Sequence, residues 1–294
     1  MSGEARALPE VTSSTLYFGP WYRKSPFFEA TLRWGCTAYD VYNHMYLPAH
    51  YDDLAAEYWA LVNDVTLWDV AVERVVQISG PDGFALTNAL TCRDLTRCAA
   101  GQGKYAPIIA PDGGIINDPV LLRRDENTFW LCLADSDAYL YAMGLAHGLG
   151  LKASVSLPEA YPVQVQGPKA KAVMAELAGD AVLGVKYYWT LDTAIAGIPV
   201  VVSRKLVGIE APGDPTFFEL TEARPALAGG QRIGRVTDLV WSPRLQRNIG
   251  YVWVPAGLAG PGNDLEIEWN DGQRTPAKTA AIPFLDPHKH LPTT

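Results

Sequence analysis

A chain of 294 residues, 48% of them hydrophobic, can bury a substantial core, and its length allows one large domain or two ordinary ones. With 24 Lys and Arg against 32 Asp and Glu, the net charge of −8 gives no cationic field for a phosphate backbone, so nucleic acid is excluded as an expected partner. No apolar run reaches bilayer length and the opening MSGEARALPEVTSST has no signal-peptide core, so a cytoplasmic protein without a membrane partner is expected.

Along the chain, Leu54, Tyr58, Leu61 and Val62 recur at helical spacing behind Asp52 and Asp53, which predicts a helix over Tyr51 to Asn63 with one face on the core. Glu73 to Ser79 reads as a strand rich in β-branched residues, closed by Gly80-Pro81 before a helix that ends near Leu90. The segment GQGKYAPIIAPDGGIINDPVLL, Gly101 to Leu122, places Asp118 between Asn117 and Pro119. Proline drives its predecessor toward extended geometry, so Asp118 belongs to a strand or its mouth. Thr128 to Leu133 reads as a further strand, and Asp135, Ser136 and Asp137 can cap a helix through Leu140, Met143 and His147.

The pattern of strand, Gly-Pro corner and helix returns at Val163 to Leu177. Gln164, Val165, Gly167, Pro168, Ala172, Val173 and Leu177 match Gln77, Ile78, Gly80, Pro81, Ala85, Leu86 and Leu90 at a constant offset of 87 (167 minus 80). This weak duplication implies two related α+β halves. Beyond Gly229, short extended runs over Arg232 to Val240, Asn248 to Val254 and Asp264 to Trp269 predict a small β-barrel or sandwich. The junction Ile198 to Glu210 has no turn residue, and as one strand from Val200 to Ile209 it would extend about 33 Å, longer than is usual. Cys36, Cys92, Cys98 and Cys132 are dispersed, as reduced thiols are, and form no zinc spacing, so no metal is expected.

On residue type alone the candidate chemistry has ordinary competitors. Asp118 is either a functional carboxylate or a cap for the turn at Gly113-Gly114. Tyr105 either lines the same pocket or fills a hairpin core, and Asp135 and Ser136 either face a ligand or cap a helix. Tyr187, Tyr188 and Trp189 either cage a cation or pack inside.

Several motifs, taken together, resemble the folate-dependent aminomethyltransferase superfamily, the glycine cleavage T-protein group. They are VYNHMYLP at Val41, LWDVAVERVVQISGPD at Leu67, NDPVLL within the Asp118 segment, and FWLCLADSD at Phe129. QVQGPKAKAVM at Gln164, KYYW at Lys186 and GIPVVVSR at Gly197 follow in the family order. NDPVLL and LADSD are most similar to its dimethylsulfoniopropionate demethylase branch.

The resemblance implies an α+β fold of T-protein type, with mixed sheets, packed helices and a C-terminal β-barrel. It implies a folate-binding-type region over residues 1–204, then a residual linking segment and the barrel over 205–294. It further implies tetrahydrofolate as methyl acceptor, a small-molecule methyl donor, and Asp118 as the catalytic carboxylate. Tyr105, Asn117, Asp135, Ser136 and Glu73 would lie toward the folate, and Tyr42, Tyr188 and Trp189 toward the substrate, with His44 and Met45 beside Tyr42. A homodimer is compatible. In full-length relatives the Ser-Arg pair is followed by a Thr-Gly-aromatic-Thr/Ser-Gly-Glu motif and a further α+β block before a KLVGIE-like strand. Here Arg204 runs directly into Lys205, so a shortened variant is expected, without the glutamate that the lost block supplies to the pterin ring. Rival readings are an aminomethyltransferase of glycine cleavage type and a non-catalytic folate- or ligand-binding protein.

Overall fold

The computed structural model describes residues 21–203, 224–269 and 272–281. The chain divides into two compact units, Met1–Arg204 and Lys205–Thr294. The first unit begins with α1 (Phe28–Arg33), β1 (Ala38–Tyr42), β2 (Met45–His50), α2 (Leu54–Asn63) and β3 (Thr66–Asp69). It continues with β4 (Val75–Ser79), α3 (Gly83–Leu90), β5 (Gly103–Tyr105), β6 (Ile108–Ile109), β7 (Ile115–Asn117), β8 (Val120–Arg123) and β9 (Phe129–Cys132). It closes with α4 (Ala138–Gly148), β10 (Ser154–Ser156), β11 (Val163–Gln166), α5 (Ala170–Ala178), β12 (Thr190–Ile195) and β13 (Ile198–Ser203).

The organising element is an antiparallel sheet in the order β10-β4-β9-β8-β5. Alternation along its strands sends Val76, Ile78, Leu121, Phe129 and Leu131 to one face, where Leu86 and Leu90 of α3 and Ala138, Ala142 and Ala146 of α4 cover them. The three alanines let α4 lie close against the sheet, and all of these side chains are buried. The strand preceding α3 starts at Val75, later than expected. Glu73 lies in the turn after β3, its N–H donating to the Val70 carbonyl at 2.8 Å.

The duplicated segments share a local geometry. β4 passes through Gly80 into α3, and β11 through Gly167 into α5; both glycines hold positive φ, 112° and 129°. A Cβ on Gly167 would lie 2.4 Å from the Asp64 carbonyl oxygen, and one on Gly80 3.0 Å from that of Lys152. The corners are therefore glycine for steric and conformational reasons together. β11 pairs with β3 in a separate two-stranded sheet.

α2 forms where its spacing predicts. Asp53 caps it by accepting the Ala56 N–H at 2.9 Å, and Glu57 reaches back to the amides of Tyr51 and Asp52. Its apolar face, however, contains no fully buried residue. At α4 the expected capping fails: Asp137 stands at the N-cap position without a side-chain hydrogen bond, because the neighbouring polar groups are engaged elsewhere. β12 and β13 are joined by Ala196 and Gly197, both at positive φ, a two-residue turn whose twist suits a hairpin. β13 ends at Ser203, and the expected continuation to Ile209 lies outside the described residues.

The second unit is an antiparallel half-barrel sheet in the order β16-β15-β14-β17-β18. Its strands are β14 (Arg224–Ala228), β15 (Gln231–Ser242), β16 (Arg247–Trp253), β17 (Asp264–Glu268) and β18 (Arg274–Lys278). Ala226, Val236, Leu239 and Ile267 form its core. Among the described residues no helix is long and apolar enough to cross a membrane.

The Gly167 corner is testable. Gly167→Ala is expected to cost more than about 2 kcal/mol in urea unfolding, whereas Gly144→Ala, on the exposed face of α4 with open space around it, should add about 0.5–1 kcal/mol. Equal effects at the two positions would contradict the corner.

Candidate functional site

Asp118 occupies the extended link between β7 and β8, and its neighbours point the other way. Asn117 and Pro119 are buried while Asp118 is half-exposed, the alternation an extended chain enforces. Asn117 Nδ2 donates to the Ala134 carbonyl at 2.9 Å and to Ser136 Oγ at 2.7 Å, and its Oδ1 accepts the Ala134 N–H at 3.1 Å. Ser136 Oγ in turn donates to the Ile116 carbonyl at 2.6 Å. The Asn117 carboxamide and the Ser136 hydroxyl, expected toward a ligand, join β7 to the segment before α4. A buried polar group left unbonded is costly, so this pairing is what lets both lie inside.

The turn at Gly113-Gly114 has its own cap, since Asp112 Oδ1 accepts the Gly114 N–H at 3.0 Å. Asp118 is free of that task. Its Oδ2 accepts the Tyr105 hydroxyl at 2.7 Å from the edge strand β5, where the phenol is exposed rather than part of a hairpin core. The hydrogen bond to Asp118 raises the Tyr105 phenol above its ordinary range, burial and the charges of Asp118 and Tyr188 add to this, and Arg93 opposes it. Tyr188 stands on the same edge: its carbonyl accepts the Gly103 N–H, and its ring meets that of Tyr187 edge-on at 4.5 Å. Burial, then Tyr187, raise the Tyr188 phenol, again against Arg93. Trp189 forms an antiparallel bridge with Gln102, its side chain partly exposed.

The other flank comes from the β1–β2 hairpin. Tyr42 Oη accepts the Asp135 N–H at 2.9 Å, and Asp135 Oδ1 accepts the Asn43 N–H at 2.7 Å. Burial raises the Tyr42 phenol most, the Asp135 N–H pulls it down, and the carboxylates of Asp135, Glu73 and Asp118 raise it further. One phenol thus senses all three acids. His44 is exposed, with Nε2 3.5 Å from Asp137 Oδ1, and Met45 is buried against Ala71 and Val72.

The structure therefore joins Asp118 to Tyr105 directly, sets Tyr42 within the fields of Asp118, Asp135 and Glu73, and places Tyr188 near Tyr105. It sets Asn117 and Ser136 behind Asp118 as supports. Sequence reasoning missed Asn43, Arg74 and Arg93. An Asn-His pair between the alternating runs VY and MY is a readable two-residue turn signal, but no local pattern marks the arginines. A groove of about 500 Å³ lies on the C-terminal sheet between Arg232, Arg235 and Trp253, and one of about 450 Å³ between Pro81, Phe84 and Arg123; neither includes Asp118.

An antiparallel α+β unit carrying such an aspartate at a strand mouth, with an antiparallel half-barrel following it in the chain, is the T-protein type of fold. The GCVT N-terminal domain family matches residues 27–205 and the glycine cleavage T-protein C-terminal barrel domain matches residues 204–286. The chain belongs to the glycine cleavage T-protein family. It is similar to dimethylsulfoniopropionate demethylase DmdA of Ruegeria pomeroyi, 37% identical over 182 residues that make up 62% of this chain and 50% of that protein. An aminomethyltransferase of Streptomyces avermitilis is 27% identical over 161 residues, 54% of this chain and 43% of the relative. The chain spans about half the length of the curated relatives it matches. Glycine cleavage system aminomethyltransferase T from Bartonella henselae superposes with a TM-score of 0.73 over 90% of this chain and 98% of that one, at 15% identity, a likeness of fold.

The Tyr105–Asp118 bond fixes a sign. A phenol raised by a carboxylate contributes stability that is fully present below the unfolded value of about 10 and is lost as pH rises through the folded value. In Asp118→Asn the Tyr105 titration, followed by NMR of ring-labelled tyrosine, should move down toward the ordinary value. A titration that stays put would disprove the pairing.

Proposed function

We propose that this chain is a tetrahydrofolate-dependent methyltransferase that demethylates a small onium or methylated compound of the dimethylsulfoniopropionate kind, yielding methyl-tetrahydrofolate. The observation that carries the reading is the half-exposed Asp118 carboxylate, bonded to one phenol and grouped with Asp135 and Glu73 around another. Carboxylates beside aromatic rings favour a compact cation over an anion.

Bound tetrahydrofolate would supply the ring nitrogen that accepts the methyl group. The residues present fit it through Asp118, which has acceptor capacity on the oxygen that Tyr105 does not occupy. Methyl displacement from a sulfonium requires no proton removed from carbon, so the side chains' work is orientation and charge compensation. Asp118 offsets positive charge on the group being alkylated, and Tyr105 holds the carboxylate in one rotamer. Phenols titrate near 10 and those of Tyr42 and Tyr105 are raised further, so both present O–H groups at neutral pH rather than extra anions. Tyr188, and Trp189 beside it, supply ring faces toward the methyl donor. An aminomethyl donor is also cationic at nitrogen, and the substrate screen below separates it.

Calorimetry with tetrahydrofolate is the first test, and no heat at millimolar ligand would reject the enzymatic reading. Given binding, turnover of dimethylsulfoniopropionate, dimethylglycine and glycine betaine is read by mass spectrometry. Asp118→Asn should lose about 100-fold or more in turnover with its fold retained. Full activity in that variant would remove Asp118 from the chemistry.

A further inference from the structure

We infer that Asn43 is a positioning residue: it clamps the β1–β2 hairpin to the turn after β3 and to the segment before α4 so that Tyr42 and Asp135 stay beside Asp118, and the inference rests on reading that neighbourhood as the ligand site. Asn43 is the most confined polar residue of the hairpin, 1% exposed, and sits at φ 50°. A turn alone would not need this. Glycine reaches the left-handed region without strain, and an exposed asparagine reaches it without burying an amide.

Every polar group of Asn43 that points inward has a partner on a different segment. Its N–H donates to Asp135 Oδ1 at 2.7 Å, before α4. Its Nδ2 donates to the Val72 carbonyl at 3.0 Å, in the turn after β3, and its Oδ1 accepts Arg74 Nη2 at 2.9 Å. The clasp with Asp135 is reciprocal. Tyr42 takes the Asp135 backbone N–H while Asp135 takes the Asn43 backbone N–H, so neither side can slide without breaking both bonds. The expected role of Asp135 changes accordingly: one carboxylate oxygen is already committed to the hairpin. Arg74, lowered chiefly by burial and then by Arg23, faces Asp135 and Asp137, and it couples the hairpin to the segment that carries Glu73.

The left-handed turn is what aims these groups. At ordinary φ the Asn43 carboxamide would swing away from the Val72 carbonyl and Arg74.

Asn43→Gly tests this, because it keeps the turn conformation and removes only the carboxamide. Hydrogen exchange of the Asp135 amide, whose acceptor is Tyr42, should accelerate about tenfold, the scale of one hydrogen bond, while exchange in β4 and β9 stays constant. kcat/KM for the methyl donor, measured well below the variant's melting transition, should fall about 10- to 100-fold. An Asp135 amide that exchanges at the wild-type rate would overturn the inference, and so would faster exchange with undiminished kcat/KM. If Asn43→Gly fails to fold, Tyr42→Phe removes the acceptor for the same amide and leaves the turn; acceleration at Asp135 supports the clasp, and no change refutes it. Exchange is read without ligand. A wild type that binds no tetrahydrofolate would therefore sink the functional reading and leave the clasp to be judged on exchange alone.

Discussion

The strand mouth at Asn117, Asp118 and Pro119 is the constraint on which the site depends. An extended chain must alternate its side chains, and Pro119 holds its predecessor in extended geometry. With Asn117 and Pro119 both buried, Asp118 has one direction left, outward at the end of β8. The burial of Asn117 is feasible only because the amide and carbonyl of Ala134 and the hydroxyl of Ser136 satisfy it, and those groups belong to the segment leading into α4. A carboxylate's orientation thus follows from hydrogen bonds made on the opposite side of the chain.

The acids near Asp118 are held unequally by their neighbours. Asp135 gives one oxygen to the Asn43 N–H and lies within the field of Arg74; Asp137 lies within the same field and beside His44. Asp118 has a neutral phenol as its hydrogen-bond donor. A neutral donor orients a carboxylate without cancelling its charge, whereas a guanidinium does both. The Asp118 charge therefore remains available to an incoming cation.

Much of this was legible before any coordinates, and the failures have specific causes. The helix behind Asp53, the Gly80 and Gly167 corners and three strands of the half-barrel, β15, β16 and β17, announce themselves through capping, spacing and alternation, which are local properties. Asp118 was legible through its flanking proline. The hydrogen bonds of Asn117, Ser136 and Asp135 were not legible because each is made to a partner 17 to 92 residues away, and no local pattern encodes such a pairing. Asn43 could have been found from the turn signal between VY and MY, yet its three inward bonds to Val72, Arg74 and Asp135 are likewise long-range. β18 escaped notice because Arg274 to Lys278 contains a proline and two cations, a composition tolerated at a sheet edge and nowhere else in a sheet.

The two duplicated halves differ in how firmly they hold the site. The sheet around β4 has a continuous buried core, while among the described residues no side chain of α2, β3, β11, α5, β12 or β13 is fully buried. Apolar burial scales with area removed from water, so the second half draws less stability from its own packing. Tyr188, which comes from that half, nevertheless keeps a defined place. The Gly103 N–H binds the Tyr188 carbonyl at 2.6 Å, and the Thr190 N–H binds the Gly101 carbonyl at 2.8 Å, so backbone pairing hangs the aromatic segment on β5. A Cβ at Gly103 would press on Leu122 at 3.0 Å and on the Tyr188 ring at 3.2 Å, so glycine there admits the close approach. Main-chain hydrogen bonds along a strand edge fix position without requiring a hydrophobic core beneath the added segment. Tyr188 therefore takes its position from the rigid sheet that also orients Tyr105 and Asp118, and the geometry between them depends on the first half's core rather than on the weaker packing of the second.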